Sequence, residues 1–200
     1  MIHPHALPTS QGDMPIYDFE TSRAFDSWIS THYTQTASVW LRFYNKGTGV
    51  PTISYQEALD IALCWGWIDS QIKKVDPISC IRKFSPRRPK SIWSQMNKSH
   101  VERLIATGLM QPAGLAEVKK AKDDGRWEAA YVGQRDAALP SDLTTWTQEQ
   151  RAAVKDFVAN LSRSQVFSIY FQLSTAKKLE TRQRRLDAIK AALLKLQNPY

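Results

Sequence analysis

The sequence predicts an α+β fold, a small antiparallel sheet packed with helices and followed by a C-terminal helical unit, on three observations. Period-two alternation of apolar and polar residues occurs in "ASVWLRFY", "WIDSQIKKV" and "SCIRKFS", all before residue 87. Helical spacing of apolar residues, opened by S-x-x-E or S-x-x-Q pairs, dominates after Ser94. The chain's 200 residues, 42% of them apolar, suffice for one substantial core with a small appended helical unit.

Residues 1–15, "MIHPHALPTSQGDMP", read as a flexible tail. In "DFETSRAFDSWISTHY", Phe19, Phe25, Trp28 and Ile29 recur at the spacing of a first amphipathic helix. "ASVWLRFY" sets Val39, Leu41 and Phe43 against Trp40, Arg42 and Tyr44, a strand that ends in the turn "NKGTGVP". Ser54 and Glu57 make a capping box for a helix with Ala58, Ile61, Ala62 and Trp65 on one face, ending near Gly66. Two strands joined by "DPI" follow, antiparallel, with Ile68 and Ile72 expected in the core. Ser94 is expected to cap the next helix, Ser99 and Glu102 repeat the box, and "TG" at 107 and 108 supplies a stop. Pro112 suits the first residue of another helix. "RWEAAYVGQRDAALPSDL" reads as irregular. Thr147 with Gln150 and Ser162 with Gln165 open two further helices, and Leu186, Ile189 and Leu193 face the last. The expected division is therefore 1–15 tail, 16–140 α+β domain with a basic loop, and 141–200 helical unit packed on it.

Charge is unevenly placed. The net charge is +8, but residues 71–103 alone carry +7 and residues 177–190 carry +4, so the rest is slightly acidic. In the second basic segment the spacings Glu180 to Arg184 and Asp187 to Lys190 suit ordinary helix-surface pairs. The first surrounds prolines and aromatics in "KFSPRRPKSIWSQMN" and points to an anionic partner: a small molecule, a phosphate-bearing ligand or nucleic acid. No window approaches the roughly 20 apolar residues of a membrane span. The first residues lack a basic stretch followed by an apolar one, so a cytoplasmic protein with reduced Cys64 and Cys80 is expected.

Candidate ligand-binding residues are Trp67, Asp69, Arg82, Arg87, Arg88, Lys90, Ser91 and Trp93. Arginine forks grip phosphate or carboxylate, Trp67, Phe84 or Trp93 offers a face for stacking, and Pro86 and Pro89 stiffen the loop. Asp69, beside Trp67, is the one candidate acid/base, or else the partner of Arg82 or Lys73 across the strands. His3, His5, His32 and His100 show no metal-ligand spacing outside the tail, and no HExxH, CxxC or phosphate-loop motif is present, so neither metal nor cofactor is expected. Cys64 lies near a helix C-terminus, where the dipole raises a thiol's pKa, and reads as packing.

The strings "SYQEALDIALCWGWIDSQ", "RKFSPRRPKSIWSQMNKSHVERLIATGLMQPAGL", "AKDDGRWEAAY" and "KKLETRQRRL" resemble, in that order, the bacterial YdeI/OmpD-associated or bacteriocin-protection family, over roughly residues 18 to 190. The resemblance implies a link to resistance against toxic peptides and brings no reaction with it. Cys80 stands where that family usually has Tyr or Leu, which argues against a shared thiol role there. Three classes of function follow: a non-enzymatic binder of an anionic ligand, which is the leading expectation, a nucleic-acid binder using the same surface, and an enzyme using Asp69.

Overall fold

A computed structural model describes residues 9–12 and 14–199. They form an α+β protein whose elements run β1 (Thr9–Gln11), β2 (Met14–Asp18), α1 (Ser22–His32), β3 (Val39–Tyr44), α2 (Tyr55–Cys64), β4 (Trp67–Lys74), β5 (Ser79–Pro86), α3 (Gln95–Ala106), α4 (Pro112–Asp123), α5 (Ser141–Gln148), α6 (Ala152–Ala159), α7 (Arg163–Ser174) and α8 (Leu179–Leu194). The chain divides into two compact units, residues 1–92 with 97–128, and residues 93–96 with 129–200. No helix among the described residues is long and apolar enough to cross a membrane.

The first unit is built on a five-stranded sheet in the order β1-β2-β3-β5-β4. The sheet is mixed where an antiparallel one was expected, because α1 carries the chain from β2 back to a parallel β3, in register Ile16 to Trp40 and Asp18 to Arg42. Of the expected tail, residues 1–8 and 13 lie outside the described residues, whereas Thr9–Gln11 and Met14–Asp18 form a strand pair. Pro15 lies just before the stretch that pairs with β3, so its missing N–H weakens only the short β1 side.

Alternation assigns the faces. Val39, Leu41, Phe43, Phe84 and Trp67 point to one side and join Phe25, Trp28 and Ile29 of α1 and Ala58 and Ala62 of α2 in the main core. Ile16, Trp40 and Ile81 form a smaller cluster on the other side. Trp67 and Asp69 take the core side of β4 and Ile68 the other, the reverse of the faces expected. The register shift between Asp69 and Ile72 then sets Ile72 opposite Arg82 on the core side, but beyond the core and 56% exposed.

The capping box of α2 is present in both directions: the Glu57 amide donates to Ser54 Oγ at 3.2 Å, and the Ser54 amide donates to Glu57 Oε2 at 2.9 Å. Ser22 Oγ adds a bond to Glu57 Oε1 at 2.7 Å. Hydrogen bonds from Ser54 first, and then Ser22, hold the Glu57 carboxyl below its ordinary range. A folded pKa below the unfolded one gives stability that is complete above the ordinary glutamate value of about 4.3 and disappears as pH falls through the lowered value. Glu57→Gln should therefore lower the urea midpoint at neutral pH, with the difference from the parent shrinking in acid. Parallel urea titrations across that range check it.

Within the second unit, Leu143 of α5, Ile169 and Leu173 of α7 and Leu186, Ile189 and Leu193 of α8 make one core. Four helices stand here, where about three were expected. Ser162 and Gln165 cap α7 reciprocally as predicted. Thr147 does not open a helix: it ends α5, buried, with Oγ1 donating to the Leu143 carbonyl at 2.8 Å. Ser99 likewise lies inside the continuous helix α3. Trp93 belongs to this unit, its carbonyl accepting from the Tyr131 amide while the Gln95 amide donates to the Tyr131 carbonyl.

Candidate functional site

The β4 and β5 hairpin carries the basic segment. Across it, the Asp69 carboxylate stands 3.6 Å from the Arg82 guanidinium and accepts the Tyr55 hydroxyl at 2.9 Å, while Arg82 lies over the Tyr55 ring at 3.9 Å. Burial, and then the Asp69 carboxylate, push the Tyr55 hydroxyl well above its ordinary pKa, so it stays a donor. Asp69 and Arg82 are thus each other's partners, joined through a third side chain. That is the cross-strand pairing the sequence allowed, and it ties α2 to the sheet. Among the described residues no His, Cys, Asp or Glu cluster can hold a metal ion.

The loop after β5 is shaped by two buried arginines. Arg87 is 7% exposed; its amide donates to the Gly66 carbonyl, and its guanidinium donates to Ser91 Oγ at 3.1 Å and the Ile92 carbonyl at 3.4 Å. Arg126, equally buried, donates to the Ser91 carbonyl at 2.8 Å and to both oxygens of Asp124. With Arg87 turned inward and Ser91 held from both sides, Arg88 and Lys90 are left exposed. Of the expected ligand grip, Arg87 and Ser91 are therefore framework, whereas Arg88 and Lys90 face solvent. Arg87→Ala should cost about 1–3 kcal/mol of stability by leaving these acceptors unpaired. Arg88→Ala should change stability by less than about 0.5 kcal/mol. Chemical denaturation of the two variants side by side checks the contrast.

The aromatics expected to stack on a ligand are core residues instead. Trp67 is 1% exposed with its indole N–H donated to the Tyr33 carbonyl, Phe84 is fully buried, and Trp93 is 2% exposed. Rings of this size are drawn inward by their apolar area, and single-sequence patterning does not distinguish a core tryptophan from a platform.

On the sheet face around Trp40, Lys73 pairs in register with Ile81 and Lys83 with Trp40, and the Lys73 ammonium stands 5.2 Å from the Trp40 ring. Lys73, Lys83, Arg88 and Lys90 make no ion pair among the described residues. The nearby carboxylates are occupied: Asp69 as above, and Asp76 by Ser79 Oγ and the Ile78 amide.

Sequence reading missed a second arrangement. Asp60 of α2 accepts Arg103 at 2.6 Å through one oxygen and lies 3.0 Å from His100 Nδ1 through the other, with Gln56 at 3.2 Å. Beside it a cavity of about 390 Å³ opens among residues of α1, α2, α3 and the segment before α4, with Ile61, Cys64, Leu104 and Leu109 among its lining. Its residues are scattered from position 22 to position 111, so no local motif could have announced it. The Cys64 thiol is pushed up to about 11, by burial first and then by the carboxylates of Asp60 and Asp26, which agrees with the packing role expected for it.

Fold and surface together define an α+β protein with a second, all-helical unit and a basic hairpin face. The chain belongs to the family described as Domain of unknown function (DUF8412), which it matches over residues 17–117, from β2 into α4. That stretch holds both the hairpin and the cavity. Neither a curated protein nor a solved structure matches the chain.

Proposed function

We propose that this protein binds an anionic ligand without chemical turnover, through Lys73, Lys83, Arg88 and Lys90. The observation that carries the proposal is the row of exposed or half-buried cations, without carboxylate partners among the described residues, on one hairpin and the loop that leaves it. From Ile81, opposite Lys73, to Pro86 the strand runs about 17 Å at 3.3 Å per residue, and Arg88 lies beyond. A row of that length exceeds a single phosphate group and suits an extended polyanion such as a nucleic-acid backbone, so of the two anion readings the polymeric one is favoured. Open cationic surfaces of this kind bind by releasing counterions and do not require the buried aromatics for affinity. The resemblance to YdeI/OmpD-associated proteins supplies the setting of the proposal, a cytoplasmic contribution to toxic-peptide resistance.

The test is fluorescence anisotropy of a labelled single-stranded oligonucleotide at low salt, competed by pyrophosphate at equal phosphate concentration. The expected result is oligonucleotide binding that pyrophosphate displaces poorly. Efficient displacement by pyrophosphate would return the reading to a small anion, and a flat titration at low salt would end the proposal.

A further inference from the structure

The cavity beside α2 has a character opposite to that of the hairpin. Its floor is apolar, with Ile61 and Leu104 around a Cys64 side chain only 7% exposed, and Leu109, itself exposed, adds apolar area at the edge. At its rim stand the carboxylates of Asp26, Glu57 and Asp60 and the guanidiniums of Arg23 and Arg103. These charges are not equally available. Arg103 is committed to Asp60 at 2.6 Å. Asp26 accepts the Trp65 indole N–H on Oδ1 at 2.8 Å, its Oδ2 accepts no bond among the described residues, and no cation pairs with it or with Glu57 within 4 Å. The Cys64 thiol at the floor is raised by burial first, with the carboxylates of Asp60 and Asp26 adding to it and the Arg103 guanidinium opposing them.

From this cavity we infer a second binding site, for a small organic cation: an ammonium headgroup on an alkyl body, the head at Asp26 and Glu57 and the body against Ile61, Leu104 and Leu109. A few hundred cubic ångströms with an apolar floor and a small number of convergent polar groups is the form small-molecule sites take. With Arg103 taken by Asp60, the carboxylates of Asp26 and Glu57 outnumber the one remaining guanidinium of the rim, Arg23, and this balance selects the sign of the head. Burial of the methylene body supplies the affinity, which restricts the ligand to amines carrying several apolar carbons. The site does not depend on the hairpin surface, so the two proposals stand or fall separately.

The probes are n-hexylamine, hexanol and hexanoate, titrated calorimetrically into the full chain near neutral pH, where the amine is an ammonium ion. Hexylammonium should bind, with hexanol and hexanoate at least about fivefold weaker, the scale of one charge pair at exposed carboxylates such as Asp26 and Glu57. Asp26→Asn keeps an acceptor for Trp65 and removes the charge; it should abolish most of the preference for the ammonium ion over hexanol. Ile61→Trp should fill the cavity and remove hexylammonium binding. The inference is overturned if no probe binds the folded parent, if hexanol or hexanoate binds as well as hexylammonium, or if Asp26→Asn leaves the preference intact. Should Ile61→Trp fail to fold, the Asp26→Asn result alone decides.

Discussion

Gly114→Ala is expected to destabilise the protein by about 3 kcal/mol, at the upper end of what overpacking usually costs. A Cβ at position 114 would stand 2.3 Å from the Cys64 carbonyl oxygen and 2.7 Å from that of Leu63. Both are main-chain atoms at the end of α2, which cannot swing aside as a side chain would. The Gln111 amide donates to the same Cys64 carbonyl at 3.2 Å, so pushing α4 away also breaks a bond that anchors its start. Gly66 completes the close approach: its φ of +75° suits glycine, and a Cβ there would lie 3.1 Å from the Ala113 carbonyl. Gly133→Ala, with nothing within 4 Å and an ordinary φ, is the matched control and should be nearly neutral. Urea unfolding of the three proteins tests this; a Gly114→Ala midpoint equal to the parent's would mean that α2 and α4 are less tightly apposed than described. Because Cys64 and Gln111 line the cavity, the variant should also weaken hexylammonium binding.

The second large effect concerns the hairpin. If four cations each neutralise one phosphate of a single strand, log affinity falls with log salt at a slope of about −2.8, and raising salt from about 50 to about 200 mM weakens binding about 50-fold. Arg88→Ala with Lys90→Ala should halve the slope and leave only about a 7-fold loss over the same interval. The double variant keeps Arg87 and Arg126, which shape the loop, so its thermal unfolding should match the parent's. A slope unchanged in the folded double variant would remove Arg88 and Lys90 from the interface. An Arg87→Ala variant cannot serve the same purpose, because losing the guanidinium that braces Ser91 and Ile92 changes the loop itself.

That distinction marks where the sequence was legible and where it was not. Local chemistry was readable: the Ser54 and Glu57 box, the Ser162 and Gln165 box, the alternation in β3 and the hairpin of β4 and β5 all occur as expected. The same S-x-x-E spacing at Ser99 misled because it also occurs inside a helix, where nothing breaks the chain. The bulge after Asp69 leaves no trace in composition, yet it reverses where Ile72 points. Arg87 and Arg88 are adjacent and chemically identical. What sends the first inward is a carbonyl at Gly66, a hydroxyl at Ser91 and a second arginine at position 126 that fixes the Ser91 backbone. The β1 and β2 pair was hidden by its brevity and by Pro15, and the cavity by the distance in sequence between its walls.

The open side of β4 has a consequence for how the molecules behave in company. Among the described residues β4 is the last strand of its sheet, and Ile72, Val75 and Ile78 are exposed along it and at the hairpin tip. An uncovered strand edge beside apolar side chains is a template on which another strand can grow, and lysines along it are a common deterrent. Lys73 and Lys74 occupy that position, so the charges that would attract a polyanion also hold neighbouring molecules apart. A long polymer that neutralises them while lining up several molecules removes the repulsion and raises the local concentration at once. Clouding of mixtures near charge equivalence, redissolved by excess of either component, is the colloidal signature such an edge would give.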